Sequence, residues 1–267
     1  MDAFAALPVF AAGRTAPACA YFDVDNTLIR GASGFHLAKE LYRRKFFRRR
    51  DIAWFAWQAA QFFLSGENLD RVAAVRARAL GIIKGRTEAE ILEIGEEVYE
   101  QVLESRLFPG ARAIVRAHLA VGDQVWLVTA TPREIGELMA RRLGATGAVA
   151  TVAEIDDGVY TGELVGDLMH GSRKARAVEQ ITPKAGIDLG DCAAYGDSVN
   201  DLEMLERVGH PCAINPEPHL RLHALEARWP VRDFRRRRPN VTPALAAGAG
   251  AGVWGVIVLV RRFAHRR

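Results

Sequence analysis

Short apolar runs separated by stretches of helical periodicity constrain this chain more than any other feature. Ala18 to Phe22, Gln124 to Val128, Val149 to Val152, Cys192 to Tyr195 and Pro211 to Ile214 read as buried strands. Between the later runs lie helix candidates at Ala111 to Ala120, Pro132 to Leu143, Ser172 to Ile181 and Val199 to Val208. Strand-helix alternation of this kind predicts an α/β fold with a Rossmann-like parallel sheet covered on both faces.

The first run stands apart from the rest. Residues 33 to 106 contain no convincing strand and read as helices at Ser33 to Phe46, Asp51 to Leu64, Leu69 to Leu80 and Thr87 to Glu104. Thr87 with Glu90 fits a capping box. The spacing therefore predicts an all-helical cap subdomain inserted after strand one, over the crevice where such sheets bind ligands. The expected boundaries are 16–32 and 107–230 for the discontinuous core, 33–106 for the cap, 231–240 for a basic linker, 241–260 for a membrane helix and 261–267 for a basic tail. Asp157-Gly158 predicts a small hairpin turn.

Three polar clusters sit at strand ends, which a parallel sheet gathers on one edge. Asp23-Val24-Asp25-Asn26-Thr27 follows the first run, Thr129 ends the run in VWLVTATP, and Asp197 and Asp201 lie in YGDSVND. Lys174, one of five lysines beside 31 arginines, starts the helix before that last strand. Read singly, the acid pair is an Asx-type turn and Asp197-Ser198 a helix N-cap. No His or Cys cluster offers a zinc site, and His219 with His223 reads as a helix-face pair. Cys19, Cys192 and Cys212 lie in apolar runs without CxxC spacing, as buried small hydrophobes of a reducing compartment do.

Taken in order, DxDxT, a strand-end Thr, a Lys and GDSxND resemble the motifs of the haloacid dehalogenase-like hydrolase superfamily, over about Ala18 to Ile214. A helical insertion between the first two motifs resembles subfamily IB, the phosphoserine phosphatase-like branch. The resemblance implies a Mg²⁺-dependent phosphomonoester hydrolase in which Asp23 is the nucleophile and Asp25 the general acid and base. It implies that Thr129 bonds a phosphoryl oxygen, that Lys174 pairs with Asp23, and that Ala130 and Asn200 touch substrate. The implied metal residues are Asp23, Asp25 through its main-chain carbonyl, Asp197 and Asp201, the last supporting the metal shell or the lysine. Arg78 matches the cap arginine that binds the substrate carboxylate in phosphoserine phosphatases, or is a helix-surface residue. The acid that recognises the substrate ammonium has no counterpart at Ala32 to Gly34.

The termini of the helical elements add a membrane theme. Arginines cluster at Arg43-Arg44, Arg48 to Arg50, Arg235 to Arg238 and Arg261-Arg262 with Arg266-Arg267, as either a solvated surface or a contact for phosphate-bearing partners, nucleic acid or anionic lipid. The runs flank apolar segments instead of forming one stripe, which disfavours nucleic acid. Ile52 to Leu64 is rich in Trp and Phe and reads as cap-core packing or as an interfacial helix. No residue from Pro239 to Val260 is charged. That length gives about 33 Å of helix, enough to cross a bilayer core, and Gly248 with Gly252 could pair two such helices into a homodimer. The expectation is a cytoplasmic catalytic domain anchored by one C-terminal transmembrane helix, with a small phosphomonoester as substrate and no nucleic acid partner. The first 15 residues lack a basic region ahead of an apolar stretch, so no secretory signal is expected. A phosphatase of lipid-type phosphomonoesters, a phosphotransferase using the same aspartyl-phosphate, and a non-catalytic scaffold remain as alternatives.

Overall fold

The computed structural model describes residues 18–46, Trp54 and 80–235. Six strands form one parallel sheet in the order β3-β2-β1-β6-β7-β8. They are β1 (Cys19–Phe22), β2 (Gln124–Pro132), β3 (Gly147–Thr151), β6 (Ala193–Gly196), β7 (His210–Ile214) and β8 (Val231–Arg232). The expected α/β core with a parallel sheet is therefore present. β1 lies between β2 and β6, so the chain order reverses at β1 and opens a crevice at that point.

Burial on both faces accounts for the composition of the central strands. CAYF in β1 and AAYG in β6 are buried throughout, and small residues on β6 leave room for larger ones beside them. Phe22 and Tyr195 stack across the β1–β6 pair with centroids 4.3 Å apart. The two polar groups buried with them are satisfied. Tyr21 Oη shares a 2.7 Å hydrogen bond with Thr182 Oγ1. Tyr195 Oη is 2.7 Å from His118 Nε2, whose Nδ1 is 2.7 Å from Asp123 Oδ2. Asp123 Oδ1 in turn accepts from the backbone N–H of Ala18, at the start of β1.

The helices that pack on the sheet are α3 (Pro109–Ala120), α4 (Arg133–Leu143), α5 (Ser172–Lys184), α6 (Leu202–Glu206) and α7 (Pro218–Glu226). Proline opens α3 and α7, where a missing N–H costs nothing. α4 stops on Gly144, whose φ of 74° suits a left-handed cap. His223 on α7 meets the edge of Trp229. The three cysteines are buried and unbridged.

Two described legs of the insertion are helical, α1 (Ser33–Arg43) and α2 (Glu88–Val98). Leu37, Leu41, Ile91, Ile94 and Val98 join the same apolar cluster as Phe22, Ile135 and Leu138 of the core. The helix predicted to run from Thr87 to Glu104 changes character after Val98. Tyr99–Leu103 is a π turn and Glu104–Arg106 a 3-10 turn, which lets Tyr99 and Leu103 both reach the buried side. Of the expected capping box, Thr87 Oγ1 accepts from the N–H of Glu90 at 3.2 Å. The two ends of the insertion meet at its neck. Arg30 N–H donates to the Arg106 carbonyl at 2.9 Å and Phe108 N–H to the Leu28 carbonyl at 2.8 Å.

The hairpin expected at Asp157-Gly158 is present as β4 (Ala153–Asp156) and β5 (Val159–Leu164), paired antiparallel. Its tip binds the insertion through backbone bonds from Gly85 to Tyr160 (2.9 Å), Tyr160 to Arg86 (2.9 Å) and Glu88 to Gly158 (3.0 Å). Tyr160 Oη donates to the buried Glu134 at 2.7 Å.

The basic pair Arg43-Arg44 is matched by acids, Arg43 with Glu40 at 2.9 Å and Arg44 with Glu40 and Glu97. Among the described residues, no helix is long and apolar enough to cross a membrane. The predicted membrane helix at 241–260, the aromatic stretch at 52–64 apart from Trp54, and Arg78 lie outside the described residues.

Candidate active site

The carboxyl ends of three neighbouring strands build the site, β1 with Asp23 and Asp25, β2 with Thr129, and β6 with Asp197 and Asp201. Each arrives there for a local reason. Asp23 N–H still donates to the Tyr195 carbonyl at 2.9 Å, so its backbone remains in the sheet. The chain then turns through Asn26, whose φ of 58° lies in the left-handed region that asparagine tolerates. Asn26 Oδ1 accepts from Gly31 N–H at 3.0 Å, and its carbonyl accepts from Asn215 Nδ2 at 2.7 Å. These bonds close the loop over the strand end.

Lys174 is the electrostatic centre. Its Nζ lies 2.6 Å from Asp23 Oδ1 and 2.6 Å from Asp201 Oδ1, and all three residues are at most 5 % exposed. Burial works against the ammonium charge, but Asp201 and Asp23 outweigh it and hold its pKa above the ordinary lysine value. Burial raises the Asp23 pKa to about 7 against the pull of Lys174, with Asp201 and Asp25 adding to the rise. Asp197 is pushed up by burial and by Asp23 and Asp201. Asp25 is also raised by burial, while two bonds from Ser33 pull it down.

Asp201 is fully occupied within the protein. Its second oxygen accepts from Asp197 N–H (3.1 Å), Ser198 N–H (3.2 Å) and Ser198 Oγ (3.3 Å), which caps the turn Val199–Asp201. Gly196 makes this approach possible, since a Cβ there would sit 2.5 Å from Asp201 Cβ. Asp197, by contrast, has no hydrogen-bond donor on its carboxylate among the described residues, and neither has Asp23 Oδ2. Asp23, Asp197 and Asp201 each offer an oxygen within 4.8 Å of the others. Hard oxygen donors carrying excess negative charge suit Mg²⁺, and the Asp197 carboxylate and Asp23 Oδ2 are the oxygens available to it.

β2 runs on to Pro132 instead of stopping at Val128. Its register against β3 shifts between Val128 and Pro132, because Thr131 N–H turns back to Thr129 Oγ1 at 3.2 Å. Thr129 is therefore buried inside an irregular strand end, with its hydroxyl donating to Thr131 Oγ1 at 2.9 Å. Ala130 is exposed, and its carbonyl accepts from Thr151 Oγ1 at 2.9 Å. Asn200 is half-buried in the turn after β6.

Ser33 and Thr131 belong to this site and were not among the residues the motifs pointed to. Ser33 sits at the start of α1 and donates both its N–H (2.8 Å) and its hydroxyl (2.5 Å) to Asp25 Oδ1. Its Oγ also lies 2.7 Å from Thr131 Oγ1. Strand alternation carries a signal for Thr131, two residues past Thr129 and on the same face. Glu217 also approaches, its Oε1 accepting from Val199 N–H at 2.8 Å and its N–H donating to the Asp197 carbonyl at 2.8 Å.

The family model for haloacid dehalogenase-like hydrolase matches residues 20–206, which carry Asp23, Asp25, Lys174, Asp197 and Asp201. The chain belongs to the haloacid dehalogenase-like hydrolases. Within them it falls on the phosphoserine phosphatase-like branch and is a phosphoric monoester hydrolase. A phosphoserine phosphatase of Mycobacterium tuberculosis is 45% identical over 266 residues, covering 96% of this chain and 86% of that protein. A histidinol-phosphatase of Neisseria meningitidis is 29% identical over 222 residues, covering 81% of this chain and 98% of that protein. The crystal structure of a protein of unknown function from Bordetella pertussis superimposes with a TM-score of 0.73 at 31% identity, covering 83% of this chain and all of that one.

Proposed function

We propose that this hydrolase cleaves small phosphomonoesters through an aspartyl-phosphate on Asp23, with Mg²⁺ bound by Asp23, Asp197 and the main-chain carbonyl of Asp25. The observation that carries the reading is Lys174 bridging Asp23 and Asp201 beside the donor-free carboxylate of Asp197. Asp201 then serves the lysine and the turn, at one remove from the metal. When bound, Mg²⁺ neutralises charge on the phosphoryl group and the acids.

In the first step a carboxylate oxygen of Asp23 forms a bond to phosphorus while the ester P–O bond breaks. The departing alkoxide takes the proton of Asp25. In the second step Asp25 removes a proton from water, the water oxygen bonds to phosphorus, and the Asp23–phosphorus bond breaks to release phosphate. Lys174 keeps Asp23 oriented and charged for attack, and on substrate binding Thr129 swings its hydroxyl from Thr131 to a phosphoryl oxygen, leaving the Thr131–Ser33 contact in place. Such transfers depend mostly on positioning and charge stabilisation.

The substrate class is a phosphorylated alcohol, with O-phosphoserine the first to test because of the 45% identical relative. Ser33 stands near the position where an ammonium-binding acid would be expected, and its donors are spent on Asp25. An alcohol phosphate without an α-ammonium group, including a lipid-type phosphate, therefore suits the chain as well. The uncharged segment 239–260 between arginine clusters supports a cytoplasmic catalytic domain held at the membrane by the segment that follows it.

Phosphate release measured with malachite green tests the reading, using O-phosphoserine, histidinol phosphate and lysophosphatidate with and without Mg²⁺. Asp23→Asn should abolish release on every substrate. Undiminished turnover in that variant would remove Asp23 as nucleophile.

A further inference from the structure

Ser33 grips Asp25 with two donors on one oxygen. The backbone N–H and the hydroxyl both reach Asp25 Oδ1, at 2.8 and 2.5 Å, and Ser33 is fully buried. A carboxyl group held by one bond can still swing about it, whereas two donors from different directions fix its rotation. Oδ2 has no hydrogen-bond partner among the described residues.

The hydroxyl of Ser33 is itself held. Each hydroxyl has a single proton, and Ser33 gives its own to the carboxylate. The 2.7 Å contact with Thr131 must then be donated by Thr131, whose Oγ1 accepts from Thr129 at 2.9 Å. A one-way chain runs from Thr129 through Thr131 and Ser33 to Asp25. It joins β2, the loop after β1, and the first residue of α1, where the chain enters the insertion.

We propose that Ser33 is a positioning residue that aims the Asp25 carboxyl at the leaving oxygen and makes that aim depend on how α1 seats against β2. The inference rests on the acid role given to Asp25 above. Ser33 does not touch phosphorus or the nucleophile, so its loss should be felt where the leaving group needs a proton and much less where it does not.

Paired probes of different leaving-group basicity separate these cases. Phenolate leaves poorly without protonation, whereas p-nitrophenolate leaves readily unprotonated. In Ser33→Ala, kcat on phenyl phosphate should fall roughly 10- to 100-fold, within the range a positioned general acid supplies. On p-nitrophenyl phosphate it should fall by less than about 3-fold, with KM for both nearly unchanged. Ser33→Thr should restore most of the phenyl phosphate rate. Thr131→Val, which removes the support of Ser33 together with the acceptor of the Thr129 hydroxyl, should shift the ratio of the two rates in the same direction by a smaller factor, and it serves should Ser33→Ala not fold. Equal losses on both substrates, or an unchanged ratio in both variants, would overturn the proposal. Asp25→Asn is the reference. A raised ratio there with none in Ser33→Ala sinks the positioning role alone, whereas an unchanged ratio in Asp25→Asn sinks the acid assignment and this inference with it.

Discussion

Replacing Lys174 with methionine keeps most of the side-chain length and removes one charge from the densest cluster of acids in the described structure. Its Nζ is 2.6 Å from a carboxylate oxygen on either side. At an effective dielectric constant of about 20, each contact represents roughly 6 kcal/mol of attraction before desolvation is subtracted. Removing one partner from a buried pair costs less than that, about 3–5 kcal/mol, because the abandoned carboxylates relax or take up protons. Oxygens of Asp23, Asp197 and Asp201 also lie within 4.8 Å of one another. Any two charged at that distance repel by roughly 3.5 kcal/mol on the same scale. A 3–5 kcal/mol loss corresponds to a Tm lower by roughly 6–20 °C for a chain of this size. Thermal melts in EDTA should show that drop in Lys174→Met. Millimolar Mg²⁺ should then raise the variant's Tm by more than it raises the wild type's, since the cation replaces charge only the variant has lost. Phosphatase activity should fall at least about 100-fold even with Mg²⁺, as expected when a preorganised charge at the reacting group is lost. A variant melting within about 2 °C of wild type in EDTA, or gaining no more from Mg²⁺, would refute the electrostatic account of the cluster.

Two further substitutions probe the surroundings. Gly196→Ala places a Cβ 2.5 Å from Asp201 Cβ and 2.7 Å from its Cγ. It should cost about 1–3 kcal/mol in urea melts and most of the activity, through displacement of Asp201 from Lys174; wild-type kcat would show that Asp201 can move without consequence. His36 has its pKa lowered to about 4 by burial, then by Arg106 and Lys39. The folded protein therefore resists a proton that the unfolded chain accepts near pH 6.5. This share of stability is complete above pH 6.5 and is lost as pH falls toward 4, with a ceiling of about 3 kcal/mol. His36→Gln should flatten that part of the stability profile, and parallel profiles for the two proteins between pH 4.5 and 6.5 would rule the burial account out.

The parts of this site legible in sequence are those that strand ends bring together. Asp23 and Lys174 are 151 positions apart, yet each sits at a recognisable junction of an apolar run or helix start, and a parallel sheet leaves little choice about where such junctions meet. Ser33 and Thr131 were hidden for the opposite reason. Strand alternation puts Thr131 on the face of Thr129, but the role of the pair is a contact between a helix start and a bulged strand, which neither the helix period nor the strand period encodes. The double duty of Asp201 was half visible: the sequence offers it as a partner of the lysine or the metal shell and gives the cap to Asp197-Ser198, whereas in the structure Asp201 both bonds Lys174 and caps the turn. The extension of β2 past Val128 depends on a side chain bonding backward to its own backbone, which apolar patterning does not register. β8 is two residues long, and its ladder to β7 leaves no periodic trace.

The neck at Arg30–Arg106 and Leu28–Phe108 also bears on how such a chain can change over time. Two backbone hydrogen bonds bring the outgoing and returning strands of the excursion side by side, so the sheet meets the same pair of ends whatever lies between them. The entropic cost of closing a longer excursion grows only with the logarithm of its length, about 0.6 kcal/mol per doubling. Sequence drift in the far part of the loop is therefore nearly invisible to the catalytic edge, so selection can try new substrate contacts there while the acids and the lysine stay fixed.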